Sequence, residues 1–263
     1  MGIISVVKAS NLLWLGRYSE RVYTTLQVFG QYYDDMIDRN MNGYEEYCEK
    51  LSIPSIYTGV EDFFDRYLFD EKDPNSIVSN LTRAVDNAIM LRNEISSTTL
   101  SYLELALNKL KRIRNSKTAL FEIQKVTDYM LAYWGCLDDY VLDDECRNLI
   151  KAGRYIERLD LYLRLDFPYD SIEREFDKLM GRLGRVHISY DRRSSSRLHS
   201  IIMSGDPERA SRGQALECVN KFFERSIGPA TSCGKKDTNN AYRKKFFSAS
   251  ISLRYTSTVY PKA

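Results

Sequence analysis

Two short stretches of this chain carry side chains able to hold a charged ligand or to lock two helices together. "GRYSER" (Gly16–Arg21) places Arg17, Glu20 and Arg21 within five residues, and "GRYIER" (Gly153–Arg158) repeats the arrangement with Arg154, Glu157 and Arg158. Guanidinium forks grip carboxylates or phosphates through paired hydrogen bonds, and a glutamate serves as a base or anchors an amine. Converging on a pocket, the six would form an anion- or amine-binding site. Pairing reciprocally, Glu20 with Arg158 and Glu157 with Arg21, they would form a buried polar lock, and buried ion pairs more often specify a structure than catalyse a reaction.

Both stretches sit in helical sequence. On a helix Arg17 and Arg21 lie one turn apart with Glu20 beside Arg17, while the adjacent Glu20 and Arg21 cannot face each other, so one must find its partner on another element. Leu13 and Val28 flank the first charged stripe, and Ile150, Leu161 and Leu165 the second, whereas the main apolar arcs run through Leu15, Tyr18 and Val22 and through Ala152, Tyr155 and Leu159. A stripe so flanked is expected to be half-buried against another helix, where an unpaired charge is costly. Gly16 and Gly153 would let a helix or a ligand come close to the backbone.

The similarity extends beyond the hexapeptides. Aligning Asn11 with Asn148 matches "NLLWLGRYSERVYTTL" to "NLIKAGRYIERLDLYL", so the two helices are expected to hold equivalent places in a duplicated bundle. Caps and turn residues divide the rest into helices from Ser10 to about Arg39, Tyr44–Leu51, Val60–Phe69, Ser76 to about Ile95, Ser96 to about Arg114, Ser116–Gly135, Val141–Leu165 and Asp170–Leu183. The "DPE" at Asp206–Glu208 opens a last one, to about Arg225. The expectation is an all-α multi-helix bundle over residues 1–225 with two related long helices carrying G-R-Y-x-E-R, then an irregular basic extension over 226–263.

"SNLLWLGRYSER" and "AGRYIERLDLYLR" resemble the Alpha-E family, all-helical bacterial and archaeal proteins named for an E-R motif. "DPNSIVSNLTRAVDNAIMLRNEIS" is similar to the family's N-P-x-S-I turn and the helix after it. The resemblance implies that Glu20, Arg21, Glu157 and Arg158 are signature positions, supported by Arg17, Arg154, Asn87 and Arg92. Because such proteins are encoded beside or fused to ATP-grasp-type ligases and transglutaminase-like proteins, it also implies an accessory or substrate-handling role in ATP-dependent peptide or amide ligation or peptide modification. A ligase and a peptide substrate would then be its partners. The chain departs from the family at Tyr23 and Thr24, where an acid and an amide are usual, and at Val85, Asp86 and Ile89, which replace arginine, glutamate and arginine; the stretch after Leu165 is also shorter.

A competing enzyme reading comes from "DDMID", whose Asp34 and Asp38 share a helix face at the D-D-x-x-D spacing that holds magnesium diphosphate in helical isoprenoid synthases. "DDYVLDDE" (Asp138–Glu145) would be the opposing acidic group of a prenyl-diphosphate enzyme. Against it, acids at a helix end and across an interhelix turn serve as caps and early-turn residues. A third class is a purely structural interaction module. Neither His187 nor His199 has a ligand partner at metal spacing, so both read as structural and no metal site is assigned. The sequence lacks a Gly-rich phosphate loop after a strand and names no cofactor. "DRRSSSRL" (Asp191–Leu198) reads as an exposed loop or a weak helix start.

Composition narrows the classes further. The net charge is +2, but seven basic residues against one acid after Ser226 leave the remainder at −4, with no general attraction to nucleic acid or anionic membrane. The tail interleaves bases with Tyr242, Phe246, Phe247 and Tyr255, a pattern compatible with single-stranded nucleic acid and equally with a solvated tail, and "ISLRYTSTVY" alternates like an edge strand. Five cysteines without a C-x-x-C pair or a preceding secretion signal fit reduced thiols in the cytoplasm. "MGIISVV" misses the myristoylation pattern because Val6 stands where Ser or Thr is required.

Overall fold

Ser5 starts the first helix: in the computed structural model, which describes residues 4–205 and 209–223, its side chain accepts a hydrogen bond from the Lys8 N–H at 3.2 Å. Ser10, the expected cap, is buried one turn inside α1 (Val6–Asp38) because the helical pattern already includes Ala9. Nine more helices follow among the described residues: α2 (Gly43–Leu51), α3 (Val60–Phe69), α4 (Ile77–Met90), α5 (Ser97–Ile113), α6 (Ala119–Tyr140), α7 (Asp144–Arg164), α8 (Tyr169–Leu183), α9 (Arg192–Ser204) and α10 (Arg209–Lys221). Ser76, Ser96, Asp143 and Asp191 each cap the next helix by accepting a backbone N–H.

Local chemistry explains the shifted boundaries. Helix α4 stops short of Ile95 because its last turn tightens, the Leu91 N–H reaching the carbonyls of both Asn87 and Ala88 at 3.1 Å. Helix α6 runs through Gly135 to Tyr140, since a single glycine weakens a helix without ending it. The "DRRSSSRL" segment is a helix start, with the Asp191 carboxylate bonding the Arg193 N–H at 3.0 Å and the Ser194 hydroxyl at 3.0 Å. The Asp206–Glu208 turn, Cys233 and the basic extension with its expected edge strand lie outside the described residues.

Helix α1 is the central pillar. Helix α4 packs antiparallel to it, as shown by the Lys8–Glu94 ion pair at one end and Arg83 over the Tyr18 ring further along. Helices α5 and α6 form a hairpin tied by Lys109 and Glu122. An aromatic cluster of Phe29, Tyr47, Phe63 and Tyr67 fastens α2 and α3 to the second half of α1. On the other side α8 runs antiparallel to α7, and α9 and α10 close a core of Ile156, Leu159, Phe176, Leu179, Leu198 and Phe222. Of the four described cysteines none is in a disulfide, and burial pushes the Cys48 and Cys146 thiols up to about 12.

The two repeated helices lie side by side and parallel. Gly16 of α1 rests on the backbone of α7, and Gly153 of α7 on the backbone of α1. A Cβ at Gly16 would stand 1.9 Å from the Ile150 carbonyl oxygen, and one at Gly153 would stand 2.0 Å from that of Leu13. In both positions a Cα–H points at the neighbouring helix's carbonyl, a weak contact open only to glycine. Since the obstacle is backbone, an added methyl cannot be absorbed by rotating a side chain. Gly16→Ala or Gly153→Ala is therefore predicted to cost roughly 2–4 kcal/mol, read as a lowered denaturation midpoint, whereas Gly135→Ala, with nothing within 4 Å of its added Cβ, should be neutral or stabilising.

Candidate functional site

Directly beyond the glycine contact, the six predicted residues meet. Glu157 accepts from Arg17 Nε at 2.7 Å on one oxygen and from Arg21 Nε at 2.5 Å on the other. Glu20 accepts from Arg154 Nε at 3.0 Å and from Arg158 Nε at 2.6 Å, with the Thr24 hydroxyl adding a bond of 2.7 Å. Each carboxylate belongs to one helix and each pair of guanidinium groups to the other. The pairing is reciprocal and sealed: Glu20 is 0% and Glu157 1% exposed, against 13–18% for the four arginine side chains.

Four arginines and two glutamates would leave two buried positive charges. Glu175 of α8 approaches one, with its carboxylate 3.3 Å from Arg158 Nη1 and also held by Lys178 at 2.7 Å, and Asp160, bonded chiefly to Arg164 at 2.8 Å, lies 3.9 Å from Arg21. Burial pushes the Glu20 carboxyl up from the usual glutamate value, against the pull of Arg158, Arg154 and the Thr24 hydroxyl bond. For Asp160 burial works in the same direction but loses: the Arg164 guanidinium and its hydrogen bond, then Arg21 and Arg17, hold this carboxyl below the usual range. Desolvation opposes charge on Arg158 too, and Glu20 and Glu175 outweigh it, so this guanidinium stays charged.

The duplication continues into the surroundings. Arg17 lies over the Trp14 ring at 4.8 Å and its counterpart Arg154 over the Trp134 ring at 4.2 Å, one indole supplied by the same helix and the other by α6. Arg83 caps the face of Tyr18 at 5.7 Å, and Lys178 that of the equivalent Tyr155 at 6.0 Å. Where α7 has an Asp160–Arg164 pair at 2.8 Å, the equivalent positions of α1 hold a neutral hydrogen bond from Gln27 to the Tyr23 hydroxyl at 2.7 Å. The acid missing at Tyr23 is thus present in the second copy.

A family model matches residues 8–199, that of Alpha-E, described as a predicted alpha-helical domain with a conserved ER motif. The chain belongs to the Alpha-E family. No curated protein and no solved structure gives a significant match. In this Alpha-E chain both ER dipeptides lie in the α1–α7 seam, while the two positions transferred from the third similar stretch lie outside it: Asn87 is half-buried on α4 and Arg92 exposed beyond its end. Asp160, Arg164 and Glu175 enter the network without having been singled out. The i, i+4 spacing of Asp160 and Arg164 in "ERLDLYLR" was the available signal; Glu175, on another helix, had none.

The two acidic groups do not face each other. Because α1 and α7 are parallel, the start of α7 lies beside the start of α1, and Asp34 stands 27 residues further along α1, about 40 Å away. Asp34 and Asp38 are exposed, Asp143 caps α7, and Asp138 pairs with Lys151. Among the described residues no group of three or more His, Cys, Asp or Glu is placed to hold a metal ion. His187 meets Glu145 at 3.4 Å, and His199 lies against the Phe176 ring. No helix among the described residues is long and apolar enough to cross a membrane.

Removing one partner from a buried pair leaves a charge stranded. Glu20→Gln is predicted to cost about 3–5 kcal/mol, and adding Arg158→Met to lose little more, so denaturation of the single and double variants should give a coupling well outside additivity. The pH dependence follows from the lowered Asp160 value. Its contribution is complete above the unfolded value near 3.8 and is lost as the pH falls through the lower folded value. The Tm gap between the native chain and Asp160→Asn should accordingly be widest above pH ~4 and narrow as the solution is acidified below it.

Proposed function

We propose that this Alpha-E chain is an accessory, substrate-handling component of an ATP-grasp-type peptide or amide ligase system, in which the ER network holds the bundle together and the bond-forming chemistry belongs to the partner. The observation that supports this reading is the saturation of Glu20 and Glu157. Each carboxylate has both oxygens engaged by two arginines of the opposite helix and no contact with solvent. A general base needs a lone pair within reach of substrate, and carboxylates this buried present none at the surface. The partner class comes from the proteins beside or fused to which Alpha-E proteins are encoded. A purely structural interaction module would use the same lock and differs in having no effect on ligase turnover.

The test is ADP release with magnesium, ATP and a mixture of amino acids. The chain alone should release none, and the rate of an ATP-grasp ligase purified together with it should rise at least roughly tenfold on its addition. Turnover by the chain alone would overturn the reading, and binding without stimulation would favour the structural module. Glu20→Gln separates lock from site: stimulation should fall in step with the folded fraction as temperature rises. Abolished stimulation in a variant that is fully folded would instead make the glutamate part of a working site.

A further inference from the structure

The lock does not engage its arginines equally. Arg21 bonds Glu157 through Nε, brings Nη2 within 2.5 Å of the same carboxylate and lies 3.9 Å from Asp160; Arg158 does the same with Glu20 and meets Glu175 at 3.3 Å. Arg17 and Arg154, the equivalent residues of the two copies, are each held by a single hydrogen bond, from Nε to a glutamate at 2.7 and 3.0 Å. Among the described residues their terminal nitrogens make no hydrogen bond, and these nitrogens are not sealed from solvent.

Charge and shape both single out these two groups. Five arginines (Arg17, Arg21, Arg154, Arg158 and Arg164) and Lys178 meet four carboxylates in the network, so positive charge is in excess and falls to the guanidinium groups with the fewest contacts. The neighbouring Lys151, one turn before Arg154, is balanced by Asp138 and leaves that excess unchanged. Each group is also fixed in advance, with Nε anchored to a buried carboxylate and the guanidinium plane lying over an indole, Trp14 for Arg17 and Trp134 for Arg154. With Nε turned inward, the edge spanned by Nη1 and Nη2 is turned away from the glutamate, and its two parallel N–H bonds fit the paired oxygens of a carboxylate or phosphate. An ordinary surface arginine gives up rotamer freedom to bind in this way, and these two have already given it up in folding.

We infer that Arg17 and Arg154 form two equivalent oxyanion sites, each taking a carboxylate or a phosphate group on its Nη1–Nη2 edge. The sites lie on opposite flanks of the α1–α7 seam, because the helices are parallel and exchange partners reciprocally. The repeat thus duplicates a binding group together with the lock, and Glu20 and Glu157 are positioning residues that aim an arginine. The inference draws nothing from the ligase reading, and either can fail while the other stands.

The two tryptophans of the chain are the two platforms, so intrinsic fluorescence reports on both sites. Titration of the full chain with sodium phosphate or sodium acetate, against sodium chloride at constant pH and ionic strength, should change the emission saturably, and Trp14→Phe and Trp134→Phe should each keep the response of the remaining site. Response to phosphate alone would assign the sites to phosphoryl ligands, to acetate alone to carboxylates, and to both to oxyanions in general; no response, or one that chloride reproduces, would overturn the proposal. In the Trp134→Phe chain, Arg17→Lys keeps the charge and loses the paired edge, so binding should weaken roughly tenfold, and unchanged affinity would count against the site. Should that variant prove unfolded by circular dichroism, the arginine side-chain nitrogen resonances of the native chain decide: those of Arg17 and Arg154 should shift saturably while those of Arg21 and Arg158 stay, and equal shifts in all four would sink the assignment.

Discussion

The rest of this structure depends on how closely α1 and α7 approach at Gly16 and Gly153. With any side chain at either position the backbones would have to move apart, and the arginine Nε bonds to the glutamate of the other helix would lose their present geometry. The order of residues in the hexapeptide follows from this. Glycine comes first to bring the backbones together, one arginine follows directly, and the acid and the second arginine come about one turn later, where the parallel helices are still close. Burial makes each charge costly alone, and the short separation makes each pair affordable together.

The network is therefore better understood as a condition of assembly than as a source of stability. Two glutamates, four arginines, Asp160 and Glu175 can leave water only if α1, α7 and α8 arrive in one register, since any slip strands a charge. An apolar seam between the same helices would tolerate sliding by a turn. The indole and phenol rings over Arg17, Arg154 and Arg83 add contacts that favour the same register without requiring it.

Much of this was legible in the sequence, and for identifiable reasons. Helix periodicity and the caps at Ser76 and Ser96 placed the elements, and the impossibility of Glu20 and Arg21 facing each other on one helix pointed to a partner on another. Local signals failed where tertiary packing decided: Ser10 has a cap's chemistry yet sits buried within α1, and Gly135 looks like a stop although α6 passes through it. Glu175 and the Trp134 indole reach the network from helices other than the repeated two, so no spacing rule could reveal them. The mutual orientation of the repeated helices was equally hidden, because a repeat specifies equivalence and says nothing of parallel or antiparallel.

That orientation has a consequence for how the chain came to be divided between its two copies. Gly16 sits on Ile150 while Gly153 sits on Leu13, and each glutamate meets the arginines of the other helix. Such mutual exchange is the hallmark of an isologous contact, normally found between two identical subunits around a twofold axis. Here both partners lie on one polypeptide, so each is free to change without forcing the same change on the other. Asp160–Arg164 opposite Tyr23–Gln27 shows that independence: an internal pseudodimer in which this pair is charged in one half and neutral in the other.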